Sequence, residues 1–156
     1  MAEYYALIKW KRGEGEAYID NKYSRGHVWE FDGGVSVPAS SSPHVVPLPY
    51  SVEANVDPEE AFVASLSSCH MLFFLSFAAK RRYVVESYTD DAIGVMEEDT
   101  SGKISMTNVV LRPKVVFTGE RIPSREGVEK IHHQSHEHCF IANSVKTKVR
   151  VEIPEN

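Results

Sequence analysis

The chain has few cysteines, no excess of basic charge and no long uninterrupted apolar run, and each shortage excludes a class of function. Lysine and arginine total 17 against 22 aspartates and glutamates, a formal net charge of −5. Nucleic acid is therefore not expected as a partner, because phosphate recognition needs a basic face. The longest apolar run, Met71 to Ala79, contains a serine and ends in Lys80-Arg81-Arg82. It falls short of a membrane span, so no membrane partner is expected. Met1-Ala2-Glu3-Tyr4-Tyr5 has neither the basic nor the apolar region of a secretion leader, and a cytoplasmic location is expected. Nine glycines and eight prolines among 156 residues exclude fibrous and low-complexity chains. Two cysteines are too few for a disulfide framework, and taken alone they suit inert thiols better than reactive ones.

What is present fits one domain over residues 1–156, long enough to bury a core. Tyr4–Lys11 mixes aromatic and aliphatic residues in partial alternation and predicts a strand. His27–Asp32 predicts a second, and Gly33-Gly34 turns it into Val35-Ser36-Val37. A proline- and serine-rich stretch follows from Pro38 to Asp57. Loops this long are uncommon unless functional or disordered, and Val45, Val46, Leu48 and Tyr50 predict one that packs as a lid or wall.

Asp57-Pro58-Glu59-Glu60 is a helix start: a cap, a proline in first position and a glutamate three after the cap. The helix is expected to run to about Arg82. Ala61 to Ala79 is apolar or small on nearly every face, which predicts a central helix buried on all sides and completed by a second subunit. Val84–Met96 and Lys103–Phe117 read as a long hairpin turning at Asp99-Thr100-Ser101-Gly102. A second helix begins near Pro123-Ser124, with Val128, Ile131, Ser135 and His138 or Cys139 along one stripe. Ser144–Ile153 alternates and closes the chain as a strand. This order is α+β rather than α/β.

The chemistry-bearing residues are Cys69, inside the first helix, and Cys139, at the end of the second. A working thiol must be partly thiolate, which needs a cation or hydrogen-bond donors. Cys69 lies too deep in its helix for the N-terminal dipole to help much, and His70 points away from it. The cation must come from elsewhere.

Asp57-Pro58-Glu59-Glu60 followed by Cys69, ten residues after Glu59 on a helix of small and apolar residues, resembles the OsmC/Ohr peroxidases. The histidine-rich helix end, Cys139 and then Asn143 match as well, and the similarity runs from about Val35 to the end. The resemblance implies an OsmC-like fold, with a buried central helix and a second helix packed on antiparallel sheets, forming an intertwined homodimer. It implies a thiol-dependent peroxidase that reduces organic hydroperoxides. Cys69 would be oxidised to a sulfenic acid, and Cys139 would resolve it as an intrachain disulfide. Glu59 corresponds to the family's catalytic glutamate, and an N-terminal arginine completes the set. Arg12 and Arg25 are both available, and Arg25, at the entry to a strand, is favoured. No bound cofactor is implied; an external dithiol of the lipoyl type would supply electrons.

Ten helical residues place Glu59 roughly 15 Å from Cys69 along the axis. Antiparallel pairing of two such helices would bring Glu59 of one subunit toward Cys69 of the other. The apolar residues Leu66, Leu72 and Phe73 favour organic over hydrogen peroxide. Two other readings stand beside this one. A small-molecule or lipid-binding dimer would use the thiols only as sensors. Zinc would be held by His132 and His136, spaced i, i+4, with Cys139; no metal is expected, because packing or capping explains the histidines.

Overall fold

The structure, a computed structural model, describes residues 1–155. The chain groups into two compact units, one from Met1 to Ala61 and one from Phe62 onward.

The first unit is built on a three-stranded antiparallel sheet, β1 (Leu7–Lys9), β2 (His27–Glu30) and β3 (Ser36–Ala39), in that order. Ile8 opposes Trp29, and Trp29 opposes Val37. Gly34 turns β2 into β3 at φ 94°, a left-handed conformation that a side chain would oppose. The first strand is shorter than Tyr4–Lys11 because β2, its one partner, is only four residues long.

The Pro38–Asp57 segment packs, but only in part through the residues expected, since Val46 and Tyr50 are half-buried. Val45 and Leu48 are exposed, whereas Ser40, Ser42 and Ser51 are buried. The Val56 amide donates to the Pro38 carbonyl, and the Ser40 amide donates to that of Val56. The Ser40 hydroxyl accepts from the Val52 amide at 2.9 Å, and the Ser42 hydroxyl accepts from that of His44 at 3.1 Å. A loop leaves backbone groups unpaired, and short hydroxyl side chains satisfy them where valine or leucine cannot.

Helix α1 (Pro58–Lys80) starts as its sequence indicates. The Asp57 carboxylate accepts from the Glu60 amide at 2.7 Å. It ends with Arg82 at φ 63° and two bonds, Arg82 amide to Ala79 carbonyl and Tyr83 amide to Ala78 carbonyl. That is a Schellman ending on a residue other than glycine.

Burial along α1 in the single chain covers part of the helix and leaves open the face that a second subunit was expected to complete. Leu66, His70, Phe74, Phe77 and Ala78 form one buried stripe, while Ala64, Ser68, Leu72 and Ser76 form an outward row. Length and composition would also let α1 cross a membrane, because alanines and serines extend the apolar stretch beyond its longest unbroken run. Its stripe instead enters two apolar clusters, which makes it a core helix.

The second unit carries the predicted long hairpin. Its arms are β4 (Val84–Asp90) with β5 (Ile93–Glu98), and β6 (Ile104–Leu111) with β7 (Pro113–Thr118). Asp90 opposes Pro113 and Ile93 opposes Val110, so the register continues across a short break. That break divides the hairpin into a β4–β7 sheet and a sheet of order β5-β6-β8. Strand β8 (Lys148–Val151) is shorter than predicted and runs parallel to β6, the one parallel strand pair among the described residues. Helix α2 (Arg125–His138) is capped by Ser124, whose hydroxyl accepts from the Gly127 amide.

Two clusters hold this unit together. Phe74, Phe77, Ala78 and Ile131 pack with Tyr83, Val85, Val115 and Phe117, joining α1, α2 and the β4–β7 sheet. Leu66, Val109 and Leu111 pack with Val63, Met106, Val149 and Val151, joining α1 to the other sheet. Gly94 lies where β5 meets α1: a Cβ there would stand 2.5 Å from the Met106 sulfur and 2.6 Å from a Val63 methyl. Gly94→Ala is expected to destabilise the protein by about 1–3 kcal/mol through overpacking. Urea unfolding measures this, and an unchanged midpoint would show that both side chains yield freely.

Candidate active site

The second unit brings the two cysteines together. Both are free thiols; Cys69 is half-buried in α1, and Cys139 is buried where it caps the C-terminus of α2. The two sulfurs lie close enough for Cys69 to act on the ionisation of Cys139. The chain turns sharply after Cys139 into the 3-10 turn Ala142–Ser144, and that turn builds a socket for the sulfur. The Ala142 amide donates to the Cys139 sulfur at 3.4 Å, and the Asn143 amide donates to the Cys139 carbonyl at 3.0 Å. The Asn143 side chain reaches back to the Glu137 carbonyl at 3.1 Å and closes the turn.

Burial pushes the Cys139 thiol up to about 11, and the neighbouring Cys69 sulfur pushes the same way. Amide donation from Ala142 and Ile141 opposes this without overcoming it. Cys139 thus rests as a protonated thiol, poised to pair with an oxidised neighbour rather than to attack first.

Beside the thiols lies a contact that sequence reasoning missed. His70, the residue after Cys69, and His132 of α2 are both buried and meet edge to edge, with ring centroids 5.2 Å apart and planes 8° from parallel. His70 Nε2 and His132 Nδ1 share a hydrogen bond of 2.9 Å. The outer nitrogens, His70 Nδ1 and His132 Nε2, have no partner, nor does His136 Nδ1. Phe74 lies against His132 at 4.3 Å. Desolvation lowers His70 to about 4, assisted by His136, and lowers His132 to about 3, assisted by His70. Both rings are neutral at pH 7. A sign of this was present in the sequence: Leu66, His70 and Phe74 share the i, i+4 stripe that enters the core.

The zinc reading is not supported. No group of three or more histidine, cysteine, aspartate or glutamate side chains is arranged to hold a metal among the described residues. His133 instead pairs with Glu137 at 3.3 Å on the surface. An open cleft of about 410 Å³ lies beside α2 and β8, lined by Arg125, Glu129, His132, His136, Val149 and Val151 among others.

Glu59 and Arg25 lie in the first unit. Glu59 stands in the first turn of α1 with Oε2 buried and without a hydrogen-bond partner. The Arg25 guanidinium donates to the Asn21 carbonyl at 2.9 Å, to the Asn21 side chain at 2.9 Å and to the Tyr23 carbonyl. It also lies 3.6 Å above the Tyr23 ring, so Arg25 organises its own loop. Arg12 is exposed and donates to the Glu16 carbonyl.

Comparison with known proteins places these features in a wider group. A family model described as OsmC-like protein matches residues 52–154. An OsmC-like protein of unknown function from Vibrio cholerae has 63% identity and a TM-score of 0.98, over 99% of this chain and 100% of that one. An organic hydroperoxide resistance protein from Elizabethkingia anophelis shares the fold at 14% identity and TM-score 0.72, over 100% and 98% of the two chains. The organic hydroperoxide resistance protein OhrB of Bacillus subtilis does so at 16% identity and TM-score 0.66, over 97% and 98%. No curated protein matches.

The buried imidazoles make a prediction about stability. Unfolded, each ring titrates near 6.5; folded, His70 and His132 titrate near 4 and 3. The unfolded chain takes up protons first on acidification. The pair's contribution is therefore whole above about pH 6.5 and is lost as the pH falls toward 4. The loss is on the order of 2 kcal/mol for one such ring at pH 5. Urea midpoints at pH 7 and pH 5 measure it, and the difference is expected to shrink in the double variant His70→Leu/His132→Phe.

Proposed function

The chain belongs to the OsmC-like protein family, and from that premise we propose that it is a thiol-dependent peroxidase reducing organic hydroperoxides to alcohols. The observation that carries this reading is the pair of free thiols, one half-buried and one buried, near enough to act on each other's ionisation. The Cys69 thiolate attacks the terminal peroxide oxygen, the O–O bond breaks, and the alkoxide leaves with a proton as the alcohol. Cys69 then carries a sulfenic acid. The Cys139 sulfur attacks the Cys69 sulfur, its proton and the sulfenic hydroxyl leave as water, and a disulfide forms. A dithiol of the lipoyl type reduces that disulfide by exchange, in the cytoplasm, where free thiols persist.

On this reading Arg25, once freed from its bonds to Asn21 and Tyr23, favours the Cys69 thiolate and the departing oxygen, and the unpartnered Glu59 oxygen holds the guanidinium. Two features support a homodimer that completes the site. The outward row Ala64, Ser68, Leu72 and Ser76 leaves an apolar face of α1 open in the single chain. The buried Glu59 oxygen lacks a partner. The cleft beside α2 favours a second reading, a small-molecule-binding dimer whose thiols only sense oxidants.

Consumption of cumene hydroperoxide with dihydrolipoamide separates the two readings. Wild type is expected to turn over and Cys69→Ser to lose at least a thousandfold in rate. Cys139→Ser is expected to retain one reduction per thiol, leaving a sulfenic acid on Cys69 that dimedone traps. Absence of turnover in wild type would reject the peroxidase in favour of the binder.

A further inference from the structure

The buried histidines have no part in that chemistry, yet they occupy the contact that sets it up. His70 follows Cys69 directly on α1, and His132 lies two helical turns before Cys139 on α2. Aromatic contacts flank the thiols on the same two elements: Phe73 meets Phe140 edge-on at 5.0 Å, and Phe77 meets His138 at 5.3 Å. Among the buried contacts the imidazole pair is the directional one, and its 2.9 Å bond, with the Arg81 guanidinium donating to the Gln134 side chain at 2.9 Å at the end of α1, limits the rotation and height of one helix against the other. A disulfide needs Cα atoms within about 7 Å and sulfurs aimed at each other, so small helix movements decide whether it closes.

The surroundings of the pair also respond to protons. A first proton must enter at an outer nitrogen, where it meets no acceptor and brings a full charge against Phe74. A second leaves two N–H groups facing across the bond that had joined the rings. The groups facing the pair offer little compensation. His136 acts unfavourably on a charge at His70. Strand β4 brings the buried Tyr88 phenol, packed on Phe74, and β8 brings Val149 and Val151. Arg125 and Glu129, which share the cleft wall with His132, are partly exposed and paired with each other. The cleft gives protons a path to the His132 edge.

We infer that the His70–His132 pair is a positioning latch for the dithiol, holding Cys69 and Cys139 within bonding reach while both rings are neutral and loosening that fit as they take up protons. The latch rests on the reading that these two cysteines form an intrachain disulfide. In acid, the oxidised Cys69 would then persist as a sulfenic acid, open to an external thiol.

The test is the equilibrium of the purified full-length protein with reduced and oxidised glutathione at pH 7 and pH 4, read by alkylation and intact mass. Peroxide is not involved, so the result is independent of peroxidase activity. At pH 7, His70→Ala and His132→Ala are expected to lower the equilibrium constant for the Cys69–Cys139 bond by roughly tenfold, the scale of a lost buried hydrogen bond. His132→Asn, whose amide can stand near the Nδ1 position, is expected to restore most of it. The double variant His70→Leu/His132→Phe is expected to vary less between the two pH values than wild type.

Folded alanine variants within twofold of wild type would overturn the latch alone, as would a double variant with the wild-type pH dependence. A wild type that never forms the Cys69–Cys139 bond would overturn the disulfide reading and the latch with it. Should the alanine variants unfold, imidazole NMR of wild type decides. Rings that stay neutral at pH 5 with one shared N–H support the latch; rings titrating near 6.5 in the folded protein refute it.

Discussion

The contact between α1 and α2 is the constraint on which the thiol chemistry of this protein depends. Helix α1 offers one buried stripe, Leu66, His70, Phe74 and Phe77, and α2 answers with Ile131, His132 and Ser135. Apolar packing alone would leave two helices free to slide or rotate slightly. A hydrogen bond between buried, coplanar rings does not, because its loss would strand polar nitrogens in an apolar interior. Cys69 and Cys139 take their relative position from this contact and from the turn after α2.

The two thiols differ because their surroundings differ. Cys69 sits part-way to solvent, where a small solute can reach it. Cys139 sits in a socket whose low polarity keeps it protonated despite amide donors aimed at its sulfur. A thiol of that kind is a poor first nucleophile. It becomes useful once its neighbour is oxidised and held against it, since proximity then replaces intrinsic reactivity. On the proposed peroxidase reading, the division of labour between attack and resolution follows from burial.

Much of this was legible in the chain. The start of α1 was marked by Asp57-Pro58-Glu59-Glu60, and the cap forms as that sequence implies. The hairpin arms and their turn at Asp99–Gly102 were marked by alternation and turn residues, as was the start of α2 at Ser124. Other features were hidden because they depend on partners distant in sequence. The Pro38–Asp57 loop carries conspicuous apolar residues, yet its serines go inside, where unpaired amides need acceptors. His70 looked like a bystander to Cys69, and only the approach of α2 turns it into half of a buried pair. Strand β8 read as an alternating strand, but its parallel pairing with β6 is set by the path of the chain after α2.

The sequence by itself determined the α+β order of elements, the helix that carries Cys69, the position of Cys139 at a helix end and the OsmC-like resemblance. Each of these rests on local patterns: periodicity, caps, turns and spacing. Only the tertiary structure decided that the two cysteines come together, that Cys139 is held protonated and that His70 and His132 are neutral and bonded to each other. Those properties come from burial and from contacts across 62 to 70 residues of chain. Desolvation and close approach are created by packing, and no local pattern encodes them.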